Sequence, residues 1–279
     1  MVTYRPAMKV PVFNLLTFNH PITQSPISPM RILFSPAERQ HLTFQESPRK
    51  ALSSAYLEAR EKVWQQKLDD AHVRGLELWN GEIYTIERFI QTDESHLVIE
   101  LSTCEYKDIT FTIHHTIQGI VRDYGADHLH PYITINGIPV TEDGRCVFGL
   151  RSAHIFASDN MIGLIGGTAN KDEMPINALD EVRRFMHMEM QEETRLIYDA
   201  RDLTLLGLHH YRGKYEFLYT IRLPITADRL SDYHEPGEFT QLIGLTPEEA
   251  KATDLRGVDA FRFNRGHLHD IVVESLTIP

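Results

Sequence analysis

The sequence has little cysteine and lacks any long apolar run. Cys104 and Cys146 are its two cysteines, too few for a disulfide framework and without the paired spacing of a zinc site. We expect both to be buried, reduced thiols. No stretch approaches the roughly 18 to 20 apolar residues of a membrane span, and Pro6 and Pro11 interrupt the start of the chain, where a secretory signal would be apolar. The sequence therefore predicts a cytoplasmic protein without a membrane partner.

Positive charge is also scarce. The 279 residues include 28 Lys and Arg against 39 Asp and Glu, a formal net charge of −11. A nucleic acid would need a basic patch that overcomes this field, so we expect no nucleic-acid partner. An anionic small molecule would need a metal ion or local basic residues. The composition, with 42% hydrophobic and 24% charged residues, is that of a globular protein long enough for two domains.

The first part of the chain combines extended and helical patterns. Prolines recur through residues 1–46 and indicate strands and turns. A helical pattern then runs to about residue 73, with Ser47 as its expected cap and Gly75 as its expected end. The other elements expected in this part are two strands and a helix, over residues 82–92, 97–103 and 106–124. Together they predict an N-terminal α+β domain, residues 1–125.

The pattern changes after residue 126. Asp143 and Gly144 are a hairpin signal between two apolar strands. The predicted strands are 132–140, 146–151, 161–165, 203–209 and 215–223. The predicted helices are 177–196, 247–253 and 266–275. This order predicts a second domain, residues 126–279, of the α/β class, an α/β/α sandwich.

The helix over residues 177–196 carries the candidate chemistry. At 100° per residue, Glu189, Glu192 and Glu193 fall within about 100° on one face. The neighbouring face is apolar and predicts the core contact of Leu179, Val182, Met186, Met190 and Ile197. Carboxylates at this spacing repel one another unless a cation lies between them, and Mg²⁺ is the usual cation beside substrate phosphates. The alternative is that the three glutamates are simply solvated.

Residues 189–196, with the sequence EMQEETRL, follow an apolar strand and a glycine pair. This arrangement resembles the Nudix box, G-x5-E-x7-R-E-U-x-E-E-x-G-U. The segment departs from the box in three ways: seven extra residues (171–177) precede the helix, Met188 replaces the arginine, and Arg195 replaces the second glycine. Added length in a loop costs little free energy. The resemblance implies a Nudix-type α/β/α sandwich with a mixed sheet.

The resemblance also implies roles for individual acidic residues. Glu189, Glu192 and Glu193 would be catalytic and would hold Mg²⁺, with Mn²⁺ as an alternative. A further ligand or general base would come from a later segment, where Glu216 and Glu238 are the candidates. A glutamate in the position of Glu216 or Glu238 is more often an ordinary surface residue, and that alternative stays open here.

Four further residues complete the predicted site. The glycine pair, Gly166 and Gly167, would contact the substrate. Arg184 lies one turn before Met188, about 40° away around the helix, and we expect it to substitute for the lost arginine of the box. Arg195, which stands where glycine would permit a positive φ, predicts a different helix end and a charge that faces the substrate.

Four short segments in the same order extend the resemblance to one Nudix subgroup, the human-type enzymes that hydrolyse UDP-glucose and UDP-galactose. These segments are residues 78–82 (LWNGE), 106–108 (YKD), 205–207 (LLG) and 216–217 (EF). The resemblance implies a small-molecule nucleotide substrate, first a UDP-sugar split into UMP and sugar 1-phosphate. ADP-ribose or another nucleoside diphosphate derivative is the alternative substrate.

Two other functional classes stay open. The altered box is compatible with a catalytically silent Nudix-like module that binds a nucleotide without turnover, although all three glutamates are retained. Residues 1–120 are compatible with a partner or assembly surface, and no motif specifies an oligomeric state. We expect Trp64 to be a core residue. Trp79 and Tyr106 are compatible with either core packing or stacking on a base.

Overall fold

The computed structural model describes residues 31–34, 41–92, 96–152, 162–211, 213–234 and 237–252. The predicted helix at 266–275 and most of the segment 1–46 lie outside the described residues. The first elements are β1 (Arg31–Phe34), β2 (His41–Glu46), α1 (Ser54–Arg74), β3 (Glu82–Gln91), β4 (His96–Glu105), α2 (Tyr106–His115) and α3 (Ile117–Tyr124). The later elements are β5 (Tyr132–Val140), β6 (Cys146–Arg151), β7 (Ile162–Gly163), β8 (Ile165–Thr168), α4 (Leu179–Glu193), β9 (Thr204–Tyr211), β10 (Lys214–Arg222), β11 (Phe239–Leu245) and α5 (Pro247–Ala252).

Helix α1 begins later than its sequence pattern predicts. The expected cap at Ser47 is wrong, because the Ser47 N–H instead donates to the Leu101 carbonyl at 2.7 Å and so continues the pairing of β2 with β4. The Ser53 side chain caps the helix by accepting from the Tyr56 N–H at 3.3 Å. The predicted end is confirmed, since Gly75 adopts φ 69.

The single helix expected over 106–124 is two helices. Thr116 has φ 69, the one positive φ outside glycine among the described residues, and it interrupts the helical hydrogen bonds. Its side chain accepts from the Gly119 N–H at 3.2 Å and so caps α3. The chain therefore turns between α2 and α3, and both pack against α1 through Tyr56, Phe111 and Ile120.

The described strands form one mixed sheet, as predicted. Its main path runs β1-β9-β10-β5-β3-β4-β2, and β6, β7, β8 and β11 pair beside that path. The β5–β10 and β2–β4 pairs are parallel, and the other pairs in the described ranges are antiparallel. The predicted α/β class with a mixed sheet is confirmed, and the sheet with its packed helices is consistent with the Nudix-type α/β/α sandwich.

The strands from the two predicted domains share this sheet. The Ile86 N–H donates to the Pro131 carbonyl at 3.0 Å, and the Tyr84 N–H donates to the Ala169 carbonyl at 2.9 Å. One apolar core contains residues from both sides of the predicted boundary. The division between residues 125 and 126 stays a prediction.

Helix α4 packs over β5 and β8. Its buried apolar residues are Val182, Phe185, Met186 and Met190, at the 3.6-residue spacing of one helical face. Gly137 in β5 lies under this face, where a Cβ would be 3.2 Å from the Met186 methyl carbon. The core contact predicted for Ile197 is wrong, because the helix ends at Glu193 and the extended chain beyond leaves Ile197 82% exposed.

Two other expectations concern the whole chain. Both cysteines are free and buried, as predicted. None of the helices in the described ranges is both long and apolar enough to cross a membrane.

Candidate carboxylate site

Strand β8 and the end of helix α4 bring two glutamates against a glycine pair. The Gly166 N–H donates to Glu193 Oε2 at 2.8 Å. A Cβ on Gly167 would lie 2.5 Å from Glu189 Oε2, so the missing side chain leaves the space in which that carboxylate sits. The single strand predicted over 161–165 is two strands, β7 and β8, and the glycine pair lies within β8, which pairs with β5. The structure thus brings four of the predicted site residues together.

Glu193 is a buried carboxylate. It is 5% exposed, and its Oε1 finds no hydrogen-bond donor among the described residues. The carboxylate of Glu238 lies within electrostatic range of it. Burial raises the pKa of Glu193 well above its usual range, and the negative charges of Glu238 and Glu189 raise it further. Carboxylates grouped in this way require a proton or a cation among them.

Glu189 belongs to the same group. Burial, followed by the charges of Glu192 and Glu238, raises the pKa of Glu189 to about 8. Glu192 itself is exposed. The predicted late glutamate, Glu238, is therefore near the α4 carboxylates, and its role as ligand or base stays a prediction.

Arg151 is a cation that the sequence interpretation missed. It ends β6, and its guanidinium pairs with the Glu238 carboxylate. It also lies 5.5 Å from the centre of the Phe239 ring. Its positive charge lowers the pKa of Glu189, so it is within electrostatic range of that carboxylate too. The signal in the sequence was weak: Arg151 is the one charged residue of a strand whose other residues are apolar or glycine.

Glu173 is a second missed residue, and its signal was stronger. Glu173 stands six residues after Gly167. This spacing matches G-x5-E, the first half of the Nudix box. Its charge contributes to the raised pKa of Glu189. The loop that carries it is tied to β3, because the Lys171 N–H donates to the Glu82 carbonyl at 2.8 Å. The seven extra residues relative to the box therefore lie between Glu173 and the motif at 189–196, and the spacing from Gly167 to Glu173 is that of the box.

Two predicted residues are not brought to these carboxylates. Arg184 pairs with Glu181 at 2.9 Å, and within the described residues it forms no ion pair with the three glutamates of the motif. Glu216 lies across the sheet: it accepts a hydrogen bond from Asn136, whose neighbour Gly137 faces α4. Because successive residues of a strand point to opposite faces, Asn136 and Glu216 face away from α4.

Helix α4 ends without a left-handed residue, which is compatible with an arginine at position 195. Thr194, the C-cap of α4, has an extended backbone with φ −143 and ψ 163. The chain therefore leaves the helix without a residue in the left-handed conformation. The Arg195 N–H donates to the Tyr233 carbonyl at 2.7 Å, which directs the chain away from the helix. The Arg195 side chain is exposed, and its contact with substrate stays a prediction.

The chemistry of these side chains suits a hard divalent cation. Carboxylate oxygens are the preferred ligands of Mg²⁺ and Mn²⁺, and Glu193 Oε1 is a buried oxygen of that kind. In the parts of the chain that the structure describes, no three His, Cys, Asp or Glu side chains are already arranged to hold a metal ion. We therefore expect Glu189, Glu193 and Glu238 to hold a metal only after side-chain adjustment.

Comparison with solved structures gives similarities at low identity. The chain is similar to the NUDIX domain of NrtR from Shewanella oneidensis, complexed with ADP ribose, at 15% identity and a TM-score of 0.39, covering 58% of this chain and 99% of that chain. The MutT protein from Methanosarcina mazei is similar at 16% identity and a TM-score of 0.33, covering 51% and 90%. A bifunctional NMN adenylyltransferase/ADP ribose pyrophosphatase from Francisella tularensis, complexed with AMP and a Mn ion, is similar at 12% identity and a TM-score of 0.37, covering 60% and 47%. No protein-family model and no curated protein matches the chain.

Proposed function

We propose that this chain is a Mg²⁺-dependent pyrophosphohydrolase of the Nudix type that acts on a nucleoside diphosphate derivative. One observation carries the proposal: the carboxylate of Glu193 is buried, its Oε1 has no hydrogen-bond partner among the described residues, and the charges of Glu238 and Glu189 lie within electrostatic range of it. Such a set of like charges is costly unless a proton or a cation is shared. A diphosphate substrate, itself anionic, would require the same cation in order to bind here.

The side chains that would hold the metal are Glu189, Glu193 and Glu238, with the exposed Glu192 available to join them. Bound there, Mg²⁺ or Mn²⁺ would neutralise the diphosphate and lower the pKa of an attacking water. The Gly166 N–H, at 2.8 Å from Glu193 Oε2, fixes one oxygen of that carboxylate. The other oxygen, Oε1, would then bind the metal.

Arg151 and Glu238 would supply the positive charge and the proton acceptor that the reaction needs. Arg151 orients Glu238 through their ion pair, and it also supplies positive charge close to the diphosphate. Glu238 would serve either as a metal ligand or as the base that accepts the proton of the attacking water. The water oxygen forms a new bond to phosphorus, and the bridging P–O bond breaks with its electron pair on the leaving phosphate.

The substrate class comes from the resemblance of the four segments around the box. A UDP-sugar is the leading candidate, and hydrolysis would give UMP and sugar 1-phosphate. ADP-ribose or another nucleoside diphosphate compound is the second candidate. The two buried, reduced cysteines suit a reducing compartment, and we place the protein in the cytoplasm.

A substrate panel tests the proposal. Purified protein with Mg²⁺ is incubated with UDP-glucose, UDP-galactose, ADP-ribose and a dinucleoside polyphosphate, and products are identified by chromatography. We expect UMP and sugar 1-phosphate from UDP-sugars, no turnover with EDTA, and a large loss in Glu193→Gln. Asp180→Asn is a matched control, because Asp180 lies in the first turn of the same helix with a side chain that is 74% exposed.

The silent binding module is the alternative that this panel separates. Its support is Met188 in place of the box arginine, together with the pairing of Arg184 to Glu181. Nucleotide binding without product from any substrate would favour the silent module and overturn the proposed activity.

A further inference from the structure

An exposed tryptophan packs against a second aromatic ring, which in turn contacts a third. Trp79 precedes β3 and is 47% exposed. Its indole lies directly on Gly81, where a Cβ would be 1.7 Å from a ring carbon, so any larger residue would displace it. The indole also contacts Tyr106 with ring centres 5.9 Å apart. Tyr106 also contacts Trp64, which is 6% exposed, with ring centres 6.4 Å apart and nearly perpendicular ring planes.

Hydrogen bonds connect these aromatic residues to the loop that carries Glu173. The Tyr106 N–H donates to the Gly81 carbonyl at 3.1 Å, and the next residue, Glu82, is bonded to the loop that carries Glu173. The pKa of the Tyr106 hydroxyl is raised by burial, lowered by Arg151 and raised by Glu238. The phenol is therefore within electrostatic range of the groups that would face the diphosphate.

The surroundings of Trp79 are polar. Asn80 donates to Glu105 at 3.3 Å, and Lys107 pairs with Glu61 at 3.1 Å. The other exposed large hydrophobic residues in the described ranges lie on α1, on α2 or beyond the end of α4, at Leu57, Val73, Ile113 and Ile197. A single exposed ring among polar neighbours matches one planar ligand better than a protein surface, which needs a larger apolar patch.

We infer that Trp79, supported by Tyr106, is the stacking surface for the heterocyclic base of a nucleotide whose diphosphate lies at Glu189, Glu193 and Glu238. This inference rests on the proposed function, because it takes the position of the diphosphate from it. Stacking on an aromatic ring is tolerant of base identity. Trp79 therefore supplies affinity for nucleotides over free diphosphates, and it leaves the choice between uracil and adenine to other groups.

Fluorescence tests the inference directly, since the chain has two tryptophans and one of them is buried. Protein with Mg²⁺ is titrated with UDP, with ADP and with inorganic pyrophosphate, which lacks a base. We expect both nucleotides to quench the Trp79 emission and pyrophosphate to leave it unchanged. Trp79→Phe, in which Trp64 is the one remaining tryptophan, should lose the quench and bind UDP within about threefold of wild type. Trp79→Ala should bind UDP about tenfold more weakly.

The controls separate stacking from folding and from catalysis. Thermal unfolding should show Trp79→Ala folded, and Val73→Ala, at an 86% exposed position on α1, should bind UDP as wild type does. Turnover should show Trp79→Ala raising KM about tenfold with kcat within about twofold. Equal quenching by pyrophosphate, or unchanged UDP affinity in a folded Trp79→Ala, would overturn the inference. Base-dependent quenching without turnover of any substrate would support the inference and overturn the proposed hydrolase activity.

Discussion

Replacement of Gly167 by alanine should separate activity from folding. Gly167 has no positive φ, so alanine fits its backbone, and such an exchange stabilises a protein by about 0.4–1 kcal/mol. The new methyl group would lie 2.5 Å from Glu189 Oε2 and 2.7 Å from its Cδ. An ordinary contact between such atoms is about 3.5 Å. The Glu189 carboxylate, at the end of a flexible side chain, must therefore retreat by about 1 Å.

A displacement of this size at a reacting centre costs about 100-fold in rate, or about 2.7 kcal/mol of transition-state stabilisation. We expect kcat/KM of Gly167→Ala to fall by about that factor on the best UDP-sugar and Mn²⁺ binding to weaken. The free energy of unfolding in urea should stay within about 1 kcal/mol of wild type. Wild-type kcat/KM in this variant would refute the view that Gly167 leaves the space for a working Glu189.

Gly166→Ala is the contrasting control on the neighbouring residue. There a methyl group would meet the Ile135 carbonyl oxygen at 2.2 Å and the Asn136 Cα at 2.8 Å, and Gly166 has φ +133. Backbone atoms of a paired strand cannot retreat as a side chain can. This variant should lose about 1–3 kcal/mol of stability or more, so its loss of activity would accompany a loss of structure.

Three further predictions concern charge. Arg151→Ala should lower kcat/KM about tenfold because Glu238 loses its partner; a larger loss in Arg184→Ala would instead show that Arg184 substitutes for the box arginine. Burial lowers the pKa of His130 from its ordinary 6.5 to about 4, so between these pH values the unfolded chain binds a proton that the folded chain does not. The free energy of unfolding should therefore fall by about 3 kcal/mol as pH drops through this window, and an equal fall in His130→Gln would contradict this cause. Burial raises the pKa of Glu189 to about 8 and the pKa of Glu193 further still, so both carboxyls hold a proton at pH 7. Mn²⁺ binding to both should therefore release about two protons; calorimetry in two buffers of different ionisation enthalpy measures this, and zero release would contradict it.

Local patterns predicted much of the fold. Strands β5 and β6 occupy the residues expected from their apolar runs, and the spacing of Val182, Met186 and Met190 correctly identified the buried face of α4. These features depend on neighbouring residues, whose periodicity the sequence displays. The G-x5-E spacing of Gly167 and Glu173 is of the same local kind and was available before the structure.

The missed features depend on pairing across long separations. Arg151 meets Glu238 because β6 pairs with β11, and no pattern near either residue shows that pairing. The exposure of Ile197 follows from an isolated bridge between Thr194 and His234, which draws the chain off the helix axis. Thr116 carries a positive φ that a threonine rarely adopts, so a continuous helix was the natural expectation from its neighbours.

The hydrogen bonds that Tyr84 and Ile86 of β3 make to Ala169 and Pro131 have a practical consequence for the expression of residues 126–279 alone. In a fragment starting near residue 126, backbone carbonyls that normally accept from β3 would have no partner. An exposed sheet edge of this kind pairs with other chains and causes aggregation. The fragment would also lose the hydrogen bond between Glu82 and Lys171, which holds the loop before α4 against β3. Such a fragment should precipitate, and co-expression with residues 41–125 should recover it.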